Sequence, residues 1–390
     1  MAAAAKLHAK EDHRLRKIRS GADVDILFLT LLLLLLTVGL TMLYSASYAQ
    51  SEFDTGYTVT TRYLQKQAAS GVIGLVAMAF VSRIPVDFWL RIAWPLYWIS
   101  VVLLLSVLVF GQSVNGAKRW ISIAGIQFQP SEVAKFTLIL LFARLTKGFG
   151  TSVREFRYGV LGFSCALLGI LVPLALEKHL SAIMLMGLVA VVMMFVAGTH
   201  PKWLLAGAGV AVAFVGIYIS LMGYAGDRVT AWLHPESDPR DTGYQILQSL
   251  YAIGSGGLFG LGLGKSRQKY LYLPFQYNDY IFAVVCEELG LIGAVLIIAL
   301  FAAFILRGYW IALRAPDRFS AVFAAGLVTL IAVQTILNLC VVTNLLPSTG
   351  IALPFFSYGG TALAVNLAEM GIVLRISRDR EKTARQEDLE

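Results

Sequence analysis

Charge is scarce in this chain. Only 14% of its 390 residues are Asp, Glu, Lys or Arg, and a soluble domain of this size carries nearly twice that share. Cysteine is scarcer: Cys165, Cys286 and Cys340 all fall inside apolar runs, with no metal-ligand spacing. A disulfide framework and a zinc module are therefore excluded as organising principles. The five histidines are scattered, so neither HExxH nor a Ser/His/Asp arrangement is present. No repeat of fixed period is visible. Alternating ten-residue segments, the mark of an outer-membrane barrel, are missing as well. No cleavable signal is expected, because residues 1–22 are polar and the first apolar run has no small-residue cleavage site close behind it.

What remains is apolar: 57% hydrophobic residues and a mean hydropathy of +0.71. Runs of about 20 apolar residues recur, the length a helix needs to cross hydrocarbon. The reading is an all-α polytopic membrane protein with about ten transmembrane helices. The spans are placed near 25–43, 63–81, 92–110, 131–145, 158–176, 181–196, 203–222, 280–306, 321–342 and 361–376. A basic tail (1–22) precedes the membrane domain (23–376), and a charged tail (377–390) follows it. A large polar loop, 224–279, joins spans seven and eight. In this layout 21 of the 32 Lys and Arg residues fall on one side. The positive-inside rule then sets both termini in the cytoplasm and the large loop outside, in a multi-pass protein of the cytoplasmic membrane. The net charge of +8 thus reports topology, and nucleic acid is not an expected partner.

The exceptions to that bias are informative. Lys118 and Arg119 sit in one outer loop, and Arg228, Arg240, Lys265, Arg267 and Lys269 in the largest. Cations kept on the wrong side suggest an anionic ligand. If residues 265–269 were extended, Lys265, Arg267 and Lys269 would face one way. The glycines before them would let backbone approach a ligand; the bland alternative is a solvated charge run. GLGLGKS resembles a phosphate-binding P-loop, but the first glycine would have to stand where Phe259 does. The alternation Trp120, Ile121, Ser122, Ile123 suits a small hairpin.

Several acids and bases fall within or at the ends of spans. Glu132 and Lys135, three apart after Pro130, share a helix face. Lys135 inside an apolar span is paired or functional. Glu288 and Glu369 are intramembrane acids, and either could be the partner of Lys135 or Arg119. Asp279 stands at the mouth of span eight. It reads either as a helix N-cap or as a carboxylate placed for general base work. Pro354, Gly359 and Gly360 break the chain before span ten, as happens at membrane depth where backbone lines a cavity.

Four segments carry a resemblance: NGAKRWISIAGIQFQPSEVAKF (115–136), DTGYQILQSLYAIGSGGLFGLGLGKSRQKYLYLP (241–274), NDYIFAVVCEELG (278–290) and ALPFFSYGG (352–360). In this order and setting they resemble the SEDS family, the FtsW/RodA/SpoVE proteins, with the SAS at 45–47 and the DP at 238–239 nearer the FtsW/SpoVE branch. The resemblance implies a glycosyltransferase that polymerises lipid II into peptidoglycan strands at the outer face of the cytoplasmic membrane, in division, elongation or sporulation. It implies undecaprenyl diphosphate as leaving group, inversion at the sugar, a class B penicillin-binding protein as partner, and a divalent cation, Mg2+ or Mn2+, with unknown ligands. Asp279 matches the family's essential aspartate, Glu132 and Lys135 its acid–base pair, and Arg119 the basic residue before its Trp. Binding of lipid II and the nascent strand is expected from Lys118, Arg119, Glu132, Lys135, Lys265, Arg267, Lys269, Ser357, Gly359 and Gly360, with Glu288 and Glu369 as further candidates. Phe275 and Asn278 depart from the family's pattern, which places an acid after the loop's Leu-Pro and Thr before the aspartate. The rival functional classes are a lipid II flippase and a non-catalytic scaffold for the transpeptidase.

Overall fold

Three of the long helices start where a local signal starts them. Asp25 accepts from the backbone N of Phe28 at 3.0 Å and opens α1 (Ile26–Asp54), as an N-cap aspartate should. Asp317 does the same for α9 (Arg318–Val342), accepting from Phe319 N at 2.9 Å and Ser320 N at 3.2 Å. Pro130 stands in the first turn of α4 (Pro130–Phe149), with Glu132 beside it, where a missing N–H costs nothing and an acid meets the positive end of the helix dipole.

The structure, a computed structural model, describes residues 24–114, 117–123, 126–207, 209, 230–237 and 243–387. Between α1 and α4 come α2 (Arg62–Val81) and α3 (Val86–Phe110). Then follows a three-stranded antiparallel meander: β1 (Gln112–Val114), β2 (Ala117–Ile123) and β3 (Ile126–Phe128). It registers Gln112 on Trp120 and Ile121 on Phe128, so the expected hairpin is present with an additional strand. After α4 come α5 (Phe163–Leu176) and α6 (Leu180–Val196). Further on are α7 (Tyr244–Gly256), α8 (Ile281–Leu313), α9 and α10 (Gly360–Glu387). Among the described residues eight helices are long and apolar enough to cross a membrane, and Leu180–Val196 is a shorter apolar helix. The chain is a polytopic membrane protein built on helices. Most of the expected span 203–222 lies outside the described residues, although 203–207 and 209 are helical, and Arg228 and Arg240 lie outside them too. Residues 377–387, read as a tail, continue α10.

α9 is the axis of the bundle: 78% of its apolar window is buried inside the protein, against 22% for α2. α2 rests on α10 through small residues. A Cβ on Gly74 would stand 2.6 Å from Leu367 Cδ1, so only glycine allows that approach.

The glycine-rich stretch has a packing cause that the sequence reading missed. α8 is broken at Gly290, whose φ of 66° and ψ of −169° interrupt the helix. The backbone groups freed there pair with residues 257–262. Leu261 N and Gly262 N donate to Glu287 O and Glu288 O at 2.9 and 3.0 Å. Leu291 N and Ile292 N donate to Gly257 O and Leu258 O at 2.9 and 3.2 Å. A Cβ on Gly260 would fall 2.2 Å from Glu288 O, and one on Gly290 2.3 Å from Gly260 N. In hydrocarbon every such group needs an internal partner, and glycine backbone comes close enough to provide it. These glycines serve helix–loop closure, in place of the expected close approach to a ligand.

Candidate active site

Asp279 lies in the turn before α8. The residue at the N-cap is Tyr280, with no side-chain capping bond, so Asp279 stands one residue before the N-cap position at which it was expected. Its backbone oxygen accepts from Asn338 Nδ2 at 2.7 Å, and the same amide donates to Ile351 O at 2.8 Å. One amide on the central helix thus ties the aspartate's turn to the loop before α10. That loop covers the carboxylate: a Cβ on Gly350, at φ 70°, would stand 3.3 Å from Asp279 Oδ2. The half-buried carboxylate faces protein loop.

The SYGG segment fastens the same turn. Ser357 Oγ donates to Asn278 O at 2.7 Å and accepts from Leu353 N at 2.8 Å. Tyr358 N donates to Tyr277 O at 2.9 Å. Gln67, fully buried on α2, accepts from Gly359 N and donates to Ser357 O, both at 3.0 Å. A Cβ on Gly360 would meet Ser70 Oγ at 2.4 Å. Ser357, Gly359 and Gly360, expected to hold ligand, here hold Asp279 through its neighbours.

Glu132 and Lys135 form an ion pair at 2.7 Å, with side chains 10% and 5% exposed. Lys135 is five residues into α4, roughly 8 Å along its axis. Glu369, on α10, is 2% exposed. Neither of its carboxyl oxygens has a hydrogen-bond partner among the described residues, yet the charges of Lys135 and Glu132 act on it. Glu288 pairs elsewhere. Its carboxylate takes Lys269 Nζ at 3.1 Å and Ser45 Oγ at 2.7 Å, and it is fully buried. The expected partnership of Glu288 with Lys135 or Arg119 is corrected accordingly.

The expected ribbon of three cations is also corrected. Residues 265–269 run through turns, with no strand. Glu287 draws the chain inward by accepting from Ser266 Oγ, from Arg267 N at 3.0 Å and from Gln268 N at 3.3 Å. Lys265 and Arg267 are exposed, whereas Lys269 is 2% exposed and also donates to Gly264 O at 2.6 Å. Its ammonium is an internal strut. A buried charge demands such a partner, and Glu288 supplies it.

Arg119, in β2, reaches across to the turn between α5 and α6, where Nη2 donates to Lys178 O at 2.7 Å. The side chain of Lys118 lies outside the described residues. The same turn carries two groups that the sequence reading passed over. Burial pushes the Glu177 carboxyl up to about 8, against the pull of Arg119. Burial also drives the His179 imidazole down to about 3, and the positive charges of Arg119 and Lys135 add to that. Two residues on, Ser181 Oγ donates to Thr349 O, the neighbour of Gly350. The turn therefore links Arg119 on one side to the cover of Asp279 on the other. The signal was a lone Glu-Lys-His run between two apolar stretches.

The site thus joins a loop-covered aspartate, a guanidinium, a buried acid–base pair and a neutral Glu/His turn at one end of the bundle. Among the described residues no three His, Cys, Asp or Glu side chains converge in a metal-binding group. The described residues thus supply no ready-made group of ligands for the expected divalent cation.

Comparison with known proteins bears on the chain as a whole. The profile of the family described as Cell cycle protein, FtsW/RodA/SpoVE, matches residues 25–382. A probable peptidoglycan glycosyltransferase FtsW of Geobacter sulfurreducens is 39% identical over 357 residues, 90% of this chain and 95% of the relative. Stage V sporulation protein E of Bacillus subtilis is 38% identical over 361 residues, covering 91% of this chain and 97% of the relative. A solved peptidoglycan synthase complex that coordinates polymerization and crosslinking contains a chain similar at TM-score 0.78 and 28% identity, covering 92% of this chain and 98% of that one. Rod shape determining protein RodA of Thermus thermophilus is similar at TM-score 0.68 and 26% identity, covering 93% and 99%. With nearly its whole length matched by profile, relatives and solved folds alike, the chain belongs to the FtsW/RodA/SpoVE family.

Proposed function

We propose that this protein is a peptidoglycan glycosyltransferase that polymerises lipid II, with Asp279 as the general base. The observation that carries the reading is the setting of that carboxylate. It is half-buried under the Gly350 loop, and its backbone is pinned by Asn338. Arg119 is linked to the carboxylate's cover through the Glu177–His179 turn and Ser181 just after it, and the charge of Lys135 reaches His179 in that turn. A rigid carboxylate at a low-dielectric boundary is suited to taking a proton from an attacking sugar hydroxyl. The C–O bond to the lipid diphosphate breaks as the new glycosidic bond forms, and the base works from the face opposite the leaving group, so the linkage inverts. Developing negative charge on the diphosphate needs fixed positive charge. Arg119, Lys265 and Arg267 are the cations offered, with Lys135 contributing its field from within its ion pair. A divalent cation, Mg2+ or Mn2+, would be held by diphosphate oxygens and at most one or two carboxylates, as Mg2+ commonly is.

The site sits at the extracytoplasmic face of the inner membrane in this reading, with both termini in the cytoplasm and a class B penicillin-binding protein as crosslinking partner. Transport of lipid II would call for charges spread through the bilayer. Glu132, Lys135, Glu288 and Lys269 instead gather toward the Asp279 end, which favours chemistry at that face. The test is a gel of glycan products from the purified full chain and lipid II, with and without Asp279→Asn. The variant is expected to lose about 100-fold or more in rate. Wild-type polymerisation by Asp279→Asn would end the assignment, and translocation of lipid II without polymer would end the enzymatic reading.

A further inference from the structure

The Glu177–His179 turn holds more buried polarity than its fold uses. Its backbone is satisfied: Glu177 N, Lys178 N and His179 N donate to Pro173 O, Ala175 O and Leu174 O at 3.0, 3.1 and 2.9 Å. Its side chains are not. Glu177 is 3% exposed and His179 8%, yet Glu177 Oε1 and His179 Nδ1 have no hydrogen-bond partner among the described residues. Native interiors keep few such atoms, because each forfeits the hydrogen bonds that water would give it. Lys178 between them has φ 55°, a left-handed conformation that side chains other than glycine rarely adopt and that concentrates at functional sites.

We propose that this turn is a saccharide-binding subsite, in which the Glu177 carboxyl and the His179 imidazole hydrogen-bond hydroxyl or acetamido groups of the lipid-linked sugar. The inference rests on the glycosyltransferase reading and deepens it. Position supports it, because Ser181, in the first turn of α6 directly after His179, donates to Thr349 O, and the next residue, Gly350, lies against Asp279 Oδ2. Chemistry supports it too. With the carboxyl pushed up to about 8 and the imidazole down to about 3, both groups are largely uncharged near neutral pH. A neutral acid and a neutral imidazole together offer a donor and acceptors, the complement of a hydroxyl or amide. A diphosphate asks for cations instead, and Arg119 stands beside the turn for that task.

The experiment uses the full chain carrying Asp279→Asn, so that binding is read without turnover. Its affinity is measured for lipid II and for undecaprenyl diphosphate, which lacks the sugars. Adding Glu177→Ala or His179→Ala should weaken lipid II binding about 10-fold and leave undecaprenyl diphosphate within about twofold. Glu177→Gln, which retains donor and acceptor, should stay within about threefold of its parent for both. His179→Leu fills the space without a hydrogen bond and should repeat the alanine result if the alanine variants fold poorly. Equal loss for both lipids, or no loss for either, overturns the subsite while leaving the enzymatic reading intact. Failure of the Asp279→Asn parent to bind lipid II at all would overturn both.

Discussion

The two ends of the helix bundle treat buried charge differently. At the end opposite Asp279, ionic groups close on one another or on helix carbonyls. Arg307 meets Asp25 at 2.8 Å, and Asp25 N donates to Ser377 Oγ at 3.2 Å, tying α1 to α8 and α10. Arg318 donates to Gly150 O and Ala197 O at 2.8 and 2.7 Å, where helices end. These are the contacts of a fastening, and they complete the termini of helices. At the Asp279 end the pairs Glu132–Lys135 and Glu288–Lys269 are likewise closed. There, however, Glu177, His179 and Asn278 keep buried atoms without partners among the described residues, as does Glu369 deeper on α10. Among the described residues the opposite end leaves only single N–H groups, of Trp89 and Arg378, without partners, whereas the Asp279 end leaves carboxyl, imidazole and amide atoms.

That comparison can be broken or sharpened by substitution. The largest effect is expected from Asp279→Asn: loss of polymerisation by about 100-fold or more, with the thermal midpoint nearly unchanged. A matching fall in stability would make Asp279 a structural residue. Next comes Lys269→Ala, which strands the fully buried Glu288 and should cost about 3–5 kcal/mol, seen as a lower thermal midpoint. Lys269→Met combined with Glu288→Leu should recover most of it, since well-packed apolar pairs replace buried ion pairs at little cost. Failure of the double variant to recover would mean that the pair does more than hold the glycine-rich loop. At the opposite end, Asp25→Ala removes a cap and a partly exposed ion pair. It should cost about 1–2 kcal/mol and leave the turnover of the folded protein unchanged; a fall in turnover would dissolve the contrast between the ends.

The smallest effect is in pH. The Glu177 carboxyl, raised from 4.5 to about 8 when folded, binds more protons in the native state across that window, so its contribution to stability declines as pH rises through it. The His179 imidazole, lowered from 6.5 to about 3, is protonated more readily when unfolded, so its contribution grows as pH rises from about 3 to 6.5. The two slopes oppose each other between 4.5 and 6.5, leaving a plateau there and a decline from 6.5 to 8. Thermal midpoints measured against pH should show that decline in the wild type and lack it in Glu177→Gln; a decline of equal size in the variant would assign it to another group.

Much of this protein is written in local pattern. Runs of apolar residues marked the helices because a bilayer demands about 20 of them in a row with every backbone bond made internally. Pro130 with Glu132 announced the start of α4, and residues 120–123 the meander, because caps and alternation are short-range signals. Asp279 and the Glu132–Lys135 pair were legible for the same reason, one at a helix mouth and the other at i, i+3. Hidden were the contacts between residues far apart in sequence. Ser45 and Glu288 are 243 positions apart, and nothing near either predicts their meeting. The glycines at 256–262 looked like a ligand loop because their true partner, the break at Gly290, lies on another element. Lys269 looked like a surface cation because only the packed bundle turns it inward. For Glu177 and His179, burial in the packed bundle is the largest influence on protonation, and the charges of Arg119 and Lys135, distant in sequence, add to it or oppose it. Sequence by itself decided where most of the described membrane helices run and that Asp279 stands just before α8, because hydrophobic length is local. Which charges pair with each other, and which buried polar groups find no partner among the described residues, was decided only by tertiary structure, because pairing is a matter of distance in space and of the dielectric that packing creates.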